Sequence, residues 1–192
     1  LLFYIIALGM ASLKEARALM EIGSQAKAFE EMAYHDQLTG LFNRTAYAEY
    51  TGSSNFKPEG HIIVMFDLNN LKQCNDSLGH DHGDSYIIES AGLIKKAFGG
   101  FGNCYRMGGD EFCALLHGIS IDKCRDCIKS FKKLLADYNA AHPDSFPLHI
   151  ACGCEMYNAD EDYDIGDTLR RADKMMYHEK FAMKKLKHET VR

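Results

Sequence analysis

Three acidic side chains stand where a chain can bring distant segments together. Asp67 closes the apolar run His61 to Asp67 (HIIVMFD), and Asp110 and Glu111 follow Gly108 and Gly109 inside RMGGDEF. An isolated Asp at a strand end or bend is most simply a turn former. Three carboxylates on one edge are different, because two like charges about 4 Å apart repel by roughly 4 kcal/mol at an effective dielectric of 20. A divalent cation removes that cost. Hard carboxylate oxygens suit Mg²⁺, with Mn²⁺ as the alternative, and Mg²⁺ keeps positions for water and substrate phosphates. Gly108 and Gly109 lack Cβ atoms, so a ligand can approach the backbone closely there, although both would also serve as a plain tight turn.

The surrounding pattern says how these groups could meet. His61 to Asp67 reads as a buried strand, Asp81 to Phe98 as a helix, and Cys104 to Met107 with Glu111 to Leu116 as two strands of a hairpin. Ile121 to Tyr138 reads as a second long helix, Pro147 to Met156 as another strand and Asp164 to His188 as a closing helix. This alternation predicts α/β layering. A right-handed crossover sets the first two strands parallel. If the second hairpin strand lies between them, Asp110 and Glu111 arrive beside the end of the strand that carries Asp67.

The chain has 192 residues, 46% of them apolar, which allows one main domain and a short appendage. A net charge of −5 excludes a long nucleic acid as partner, since phosphate-tracking surfaces need a cationic excess. A small nucleotide stays compatible, because metal ions can neutralise its phosphates. The seven Cys form no regular framework, which predicts a reducing, cytoplasmic setting. Cys124 and Cys127 form a C-x-x-C within a helical pattern, without a second pair at zinc-ligand spacing, and read as ordinary thiols. Cys152 and Cys154 fit a half-buried strand.

Residues 1–34 form the expected appendage and 35–192 the main domain. Leu1 to Met10 is almost wholly apolar but shorter than the roughly 20 residues that cross a bilayer. It reads either as the end of a transmembrane helix or as a core helix of an upstream domain, so membrane contact is expected only before Ser12. From Ser12 to Tyr34, Leu19, Ile22, Ala26, Phe29 and Ala33 make a short seam. That seam suits an amphipathic helix lying on its own domain or a parallel two-chain stalk.

RMGGDEF (Arg106 to Phe112) resembles the signature of GGDEF-type diguanylate cyclases, and three further stretches agree in order and spacing. DQLTGLFNR (Asp36 to Arg44) is similar to the family's opening turn. DLNNLKQCNDSLGHDHGD (Asp67 to Asp84) is similar to its first metal strand and nucleotide loop, and ADKMMYHEKFAMK (Ala172 to Lys184) to its closing helix. The resemblance implies an α+β fold: a palm-like, ferredoxin-related antiparallel sheet flanked by helices and preceded by an N-terminal helix. It also implies condensation of two GTP molecules into cyclic di-GMP, with release of two pyrophosphates, in bacterial signalling.

Residue by residue, the resemblance implies that Asp67, Asp110 and Glu111 hold Mg²⁺, with the Leu68 carbonyl as a further ligand. Asp110 or Glu111 would help take the proton from the attacking 3′-hydroxyl, and Lys72 would neutralise phosphate charge as the transition state develops. Asn75 and Asp84 would bond the guanine edge, and His80 would contact the nucleotide. Gly108 and Gly109 would admit the ribose and phosphates, and Lys180 and Lys184, one helical turn apart, would reach the β and γ phosphates. Catalysis would require a homodimer, each domain bringing one GTP, under an upstream sensor. Asp84 also carries its own logic: a carboxylate accepts from the N1–H and N2–H₂ donors of guanine but faces an acceptor at N1 of adenine. It would equally suit a helix start.

Some positions depart from the family pattern. Asn69 replaces a frequent acid, Met183 a usual Gly, and Lys184 a usual Arg, which gives up bidentate phosphate binding. GGFG (Gly99 to Gly102) stands where the family's product-inhibition motif R-x-x-D would fall, so that feedback route is expected to be absent. The alternatives are a catalytically silent nucleotide-binding domain, an enzyme making a mixed cyclic dinucleotide, and a structural dimerisation module.

Overall fold

In the computed structural model the described residues are 31–190, together with Lys14, Arg17, 19–23, Gln25 and Phe29. The elements follow in the order β1 (Phe42–Asn43), α1 (Arg44–Gly52), β2 (His61–Asn69), α2 (Leu71–Leu78), α3 (His80–Phe98), β3 (Gly102–Arg106), β4 (Glu111–His117), α4 (Ile121–Ala141), β5 (His149–Met156) and α5 (Ile165–Thr190). The five strands form one sheet in the order β1-β3-β4-β2-β5. β2 runs antiparallel to both β4 and β5, and β3 antiparallel to β4. β4 therefore separates two parallel strands, β2 and β3, as the crossover rule predicts.

Every residue of β2 is buried, because both faces of the sheet are covered. Ile62, Val64, Phe66 and Leu68 point to one face, where they meet Ile94 and Phe98 of α3 and Phe131 of α4. Ile63 and Met65 point to the other, with Cys113 and Leu115 of β4, Tyr47 of α1, and Ala172 and Met176 of α5. α5 lies unusually close to β5. A Cβ on Gly153 would fall 2.2 Å from Met176 N and 2.5 Å from Ala172 O, so only glycine permits this approach.

The expected strands and long helices are present, with ends displaced by a few residues. Three elements are additional. β1 adds a short parallel pairing to β3 at the sheet edge. α1 is capped by Asn43, whose side chain accepts from Ala46 N at 3.0 Å, and it buries only Tyr47, so its sequence shows no apolar stripe. α2 occupies part of the stretch read as a nucleotide loop, and the chain turns into it from β2 through Asn70 at φ 67°. Asn is the non-glycine residue that best tolerates this left-handed conformation.

The described residues from Lys14 to Tyr34 are helical. Leu19, Ile22 and Phe29 of the seam are 70%, 63% and 72% exposed, so this chain does not cover them. Leu1 to Met10 and Ala26 lie outside the described residues. Among the described residues no helix is long and apolar enough to cross a membrane.

Arg171 ties the start of α5 to the end of β5. Its guanidinium donates to both Asp162 oxygens (2.9 and 2.7 Å), to Glu155 Oε2 (2.8 Å) and to the Met156 carbonyl (2.8 Å). The hydrogen bonds from Arg171, ahead of those from Asn158 and Thr168, hold the Asp162 carboxyl down at about 2 despite its burial. The folded state therefore binds this proton less readily than the unfolded chain. The stabilisation is complete above the ordinary carboxyl range and is lost as pH falls through about 2. Asp162→Asn is expected to flatten the acid limb between pH 4 and pH 2 in urea titrations, and an unchanged limb would contradict this assignment.

Candidate active site

The end of β2 and the β3–β4 turn are fastened to each other through backbone atoms. Asp67 stands opposite Glu111 in the antiparallel register. Leu68 N donates to the Asp110 carbonyl at 2.9 Å, while Met107 N and Gly108 N donate to the Glu111 carbonyl at 2.8 and 3.3 Å. Asp67 and Glu111 thus lie side by side on the face that α5 covers.

Asp67 is only 6% exposed. Its Oδ2 accepts from Lys180 Nζ of α5 at 2.7 Å, whereas Oδ1 is buried with no partner. Asn69, two residues on, is also buried with an unpartnered Oδ1, and its Nδ2 donates to Met183 Sδ at 3.7 Å. Lys184 lies beside it, lining a cavity of about 180 Å³ with Asn69, Asn70, His149 and Met183. Lys180 and Lys184 therefore share a helix face, but only Lys180 is paired with the strand-end carboxylate.

Arg106 holds the turn. Its Nε donates to the Gly108 carbonyl (3.1 Å), Nη2 to the Gly109 carbonyl (2.9 Å), and Nη1 to both Asp36 oxygens (3.1 Å each). Asp36 in turn accepts from Thr39 N (2.9 Å) and Oγ1 (2.7 Å). Burial pushes the Asp36 carboxyl up, but hydrogen bonds from Thr39 and Arg106 outweigh it and hold the group below its usual range. Neither Gly108 nor Gly109 adopts a positive φ. A Cβ at Gly108 would come 3.3 Å from Glu111 Oε2, and one at Gly109 would meet nothing within 4 Å. The turn therefore depends on Arg106 rather than on left-handed glycine geometry.

A second polar group lies where α2 meets α3. Asn75 Oδ1 is buried without a partner, and a Cβ on Gly83 would fall 1.8 Å from it. Gly83 thus lets the two helices close around Asn75, next to Asp84 in the chain. Asp84 is exposed and lies beyond the first turn of α3, where Asp81 is the acidic residue, so the helix-start reading of Asp84 fails. Lys72 and His80 are exposed at the starts of α2 and α3.

The three carboxylates share an edge without closing into one cluster. Among the described residues no group of three or more His, Cys, Asp or Glu side chains is placed to hold a metal ion. Asp110 and Glu111 do arrive beside the end of the Asp67 strand, as expected, but the three side chains stay apart. The physical reason is charge: Glu111 is exposed and Asp110 partly so, hence both remain solvated, while buried Asp67 takes Lys180 as its counter-ion. The roles of Arg106, Asp36 and Gly83 were not read from sequence. All three lie within the motifs DQLTGLFNR, DLNNLKQCNDSLGHDHGD and RMGGDEF, but nothing in their spacing marks a clamp or a helix contact.

An acidic strand end, a clamped glycine turn and a lysine-bearing helix thus meet at one edge of a five-stranded sheet in an α/β domain. The family described as Diguanylate cyclase, GGDEF domain, matches residues 33–185, and the chain belongs to this family. It is 33% identical over 179 residues to Biofilm architecture maintenance protein MbaA of Vibrio cholerae, covering 85% of this chain and 22% of that protein. It is 26% identical to Diguanylate cyclase DgcS of Shewanella oneidensis, covering 81% of this chain and 53% of that protein. The chain thus spans about half or less of the length of these relatives. The solved coiled coil and GGDEF domain of DgcB from Caulobacter crescentus, in complex with c-di-GMP, shares its fold. There the TM-score is 0.70 at 19% identity, covering 90% of this chain and 94% of that one.

Arg106→Lys keeps the charge but loses the planar fork that reaches two carbonyls and Asp36 together. Hydrogen exchange at residues 107–110 is expected to quicken, with a stability loss of about 2 kcal/mol by urea unfolding. Unchanged exchange would show that the turn holds itself.

Proposed function

We propose that this domain is a diguanylate cyclase, which joins two GTP molecules into cyclic di-GMP and releases two pyrophosphates. The observation that carries this reading is the buried Asp67 carboxylate, with one oxygen free, fastened beside the Asp110 and Glu111 turn in a chain of the GGDEF family. Its donor set fits a hard divalent cation: the carboxylates of Asp67, Asp110 and Glu111 and the carbonyl of Leu68 would hold Mg²⁺, or Mn²⁺ in its place. Bound there, such an ion polarises the α-phosphate, lowers the pKa of the 3′-hydroxyl and offsets charge on the leaving pyrophosphate.

The remaining work falls to the chain's own side chains. Asp110 or Glu111 accepts the proton of the attacking 3′-hydroxyl. Lys72 balances charge that develops on the phosphates. Lys180, the resting counter-ion of Asp67, turns to the β and γ phosphates in the substrate complex and is joined there by Lys184. Asn75 offers its unpartnered oxygen to the guanine edge, together with the carboxylate of Asp84, which selects GTP over ATP. His80 supports the nucleotide, and Gly108 and Gly109 leave room for its ribose and phosphates.

One domain holds one GTP, so two must face each other for each 3′-hydroxyl to attack the other nucleotide, and juxtaposition supplies the entropic share of the rate. The exposed seam of Leu19, Ile22 and Phe29 is the stalk that pairs two copies, and an upstream sensor acts through it. The catalytic domain works in the cytoplasm.

Incubation with GTP and Mg²⁺ is expected to yield cyclic di-GMP by mass spectrometry, with no cyclic product from ATP. Asp110→Ala should lower the rate at least about 100-fold. A dimer inert toward GTP at saturating Mg²⁺ would instead indicate a silent module. Ile22→Glu with Phe29→Glu should shift the protein to monomer in sedimentation and reduce turnover in parallel. A dimeric, fully active double variant would remove the stalk from the account.

A further inference from the structure

Two cysteine pairs far apart in the chain meet on the sheet face opposite Asp67. Cys124 and Cys127 stand one turn apart on α4, and Cys152 and Cys154 stand two residues apart on β5, so each pair shares a face of its element. α4 packs against β5, and Cys124, Cys127 and Cys152 belong to one core cluster with Cys154 packed against it. All four are free thiols. Sequence spacing gave the C-x-x-C no second pair; the fold supplies one in space.

Cys124 and Cys154 are in direct contact, their thiols sharing a hydrogen bond. Cys124 is fully buried and Cys154 partly exposed, so a reagent from solvent meets Cys154 first. That hydrogen bond holds the Cys154 thiol below its usual range; burial and Glu155 oppose it, and the Arg125 guanidinium assists. The same bond, with burial next, holds the Cys124 thiol up. A shared thiophilic metal is not what the arrangement favours, since no three of these groups are placed to hold one among the described residues.

We propose that Cys154 and Cys124 form an oxidisable dithiol whose co-reactant is a hydroperoxide, Cys154 being attacked first and Cys124 resolving it. The Cys154 thiolate sulfur attacks a peroxide oxygen; the S–O bond forms, the O–O bond breaks, and the departing oxygen takes a proton to leave as water or alcohol. Cys124 then faces the electrophilic sulfenic sulfur. It gives up its thiol proton, its sulfur attacks the sulfenic sulfur, the S–S bond forms, and hydroxide leaves with the proton as water. Two thiols are oxidised to one disulfide, and one peroxide is reduced. The proposal stands apart from cyclase activity and needs no nucleotide.

The test is thiol mapping on the whole reduced chain after treatment with hydrogen peroxide, alkylation and trypsin. Arg125 separates Cys124 from Cys127, so their peptides are distinct. Wild type is expected to lose two of its seven free thiols, with a link from Cys124 to the peptide carrying Cys152 and Cys154, placed at Cys154 by fragmentation. Cys124→Ser should accumulate Cys154 sulfenic acid, trapped by dimedone, and Cys152→Ser should still form the link. Persistence of an alkylatable Cys154 in wild type would overturn the proposal. So would a link through Cys127, Cys152 or a second chain, or a retained zinc that shields the thiols. The wild-type map alone decides, whether or not a variant folds.

Discussion

A carboxylate at the end of a fully buried strand needs a partner, and the arrangement of this domain follows from how Asp67 finds one. Removing a charge from water costs several kcal/mol unless an opposite charge or hydrogen bonds replace the solvent. Lys180 is the ionic partner, at 2.7 Å, and it reaches Asp67 because α5 lies almost in backbone contact with β5 at Gly153. The residue before it, Glu179, accepts from Cys152 N at 2.6 Å and pairs with Lys132 of α4, which fixes the helix along the edge strand. One Asp67 oxygen is left over.

The turn is the second half of the same arrangement. Backbone bonds close it onto Glu111 and Leu68, and Arg106 adds its whole fork to Gly108, Gly109 and Asp36. Asp36 belongs to the segment that joins the N-terminal helix to the sheet. The helix thus leads into a segment whose Asp36 carboxylate is one arginine away from Gly108 and Gly109.

Much of this was legible in the sequence. The run HIIVMFD is apolar at consecutive positions because β2 is covered on both faces, and Asp67 stands near its end as the sequence predicts. The hairpin and crossover logic put β4 between β2 and β3, which is what aligns Asp67 with Glu111. The missed elements have local reasons. α1 buries a single aromatic and shows no periodic apolar stripe, while α2 is only eight residues long and begins at a left-handed Asn. The ion pair of Lys180 with Asp67 was out of reach as well, because the expectation of three converging acids did not ask what compensates the buried one before a cation arrives. The meeting of Cys124 with Cys154 depends on helix-on-sheet packing that spacing alone does not encode.

The central claim is that Asp67 anchors a divalent cation together with the glycine turn, and Mn²⁺ binding measured by electron paramagnetic resonance with a non-reactive GTP analogue tests it most directly. Wild type is expected to bind Mn²⁺ with the nucleotide, and Asp67→Asn, folded by circular dichroism, to bind it at least about ten-fold more weakly. Equal Mn²⁺ affinity in the two proteins would contradict the account.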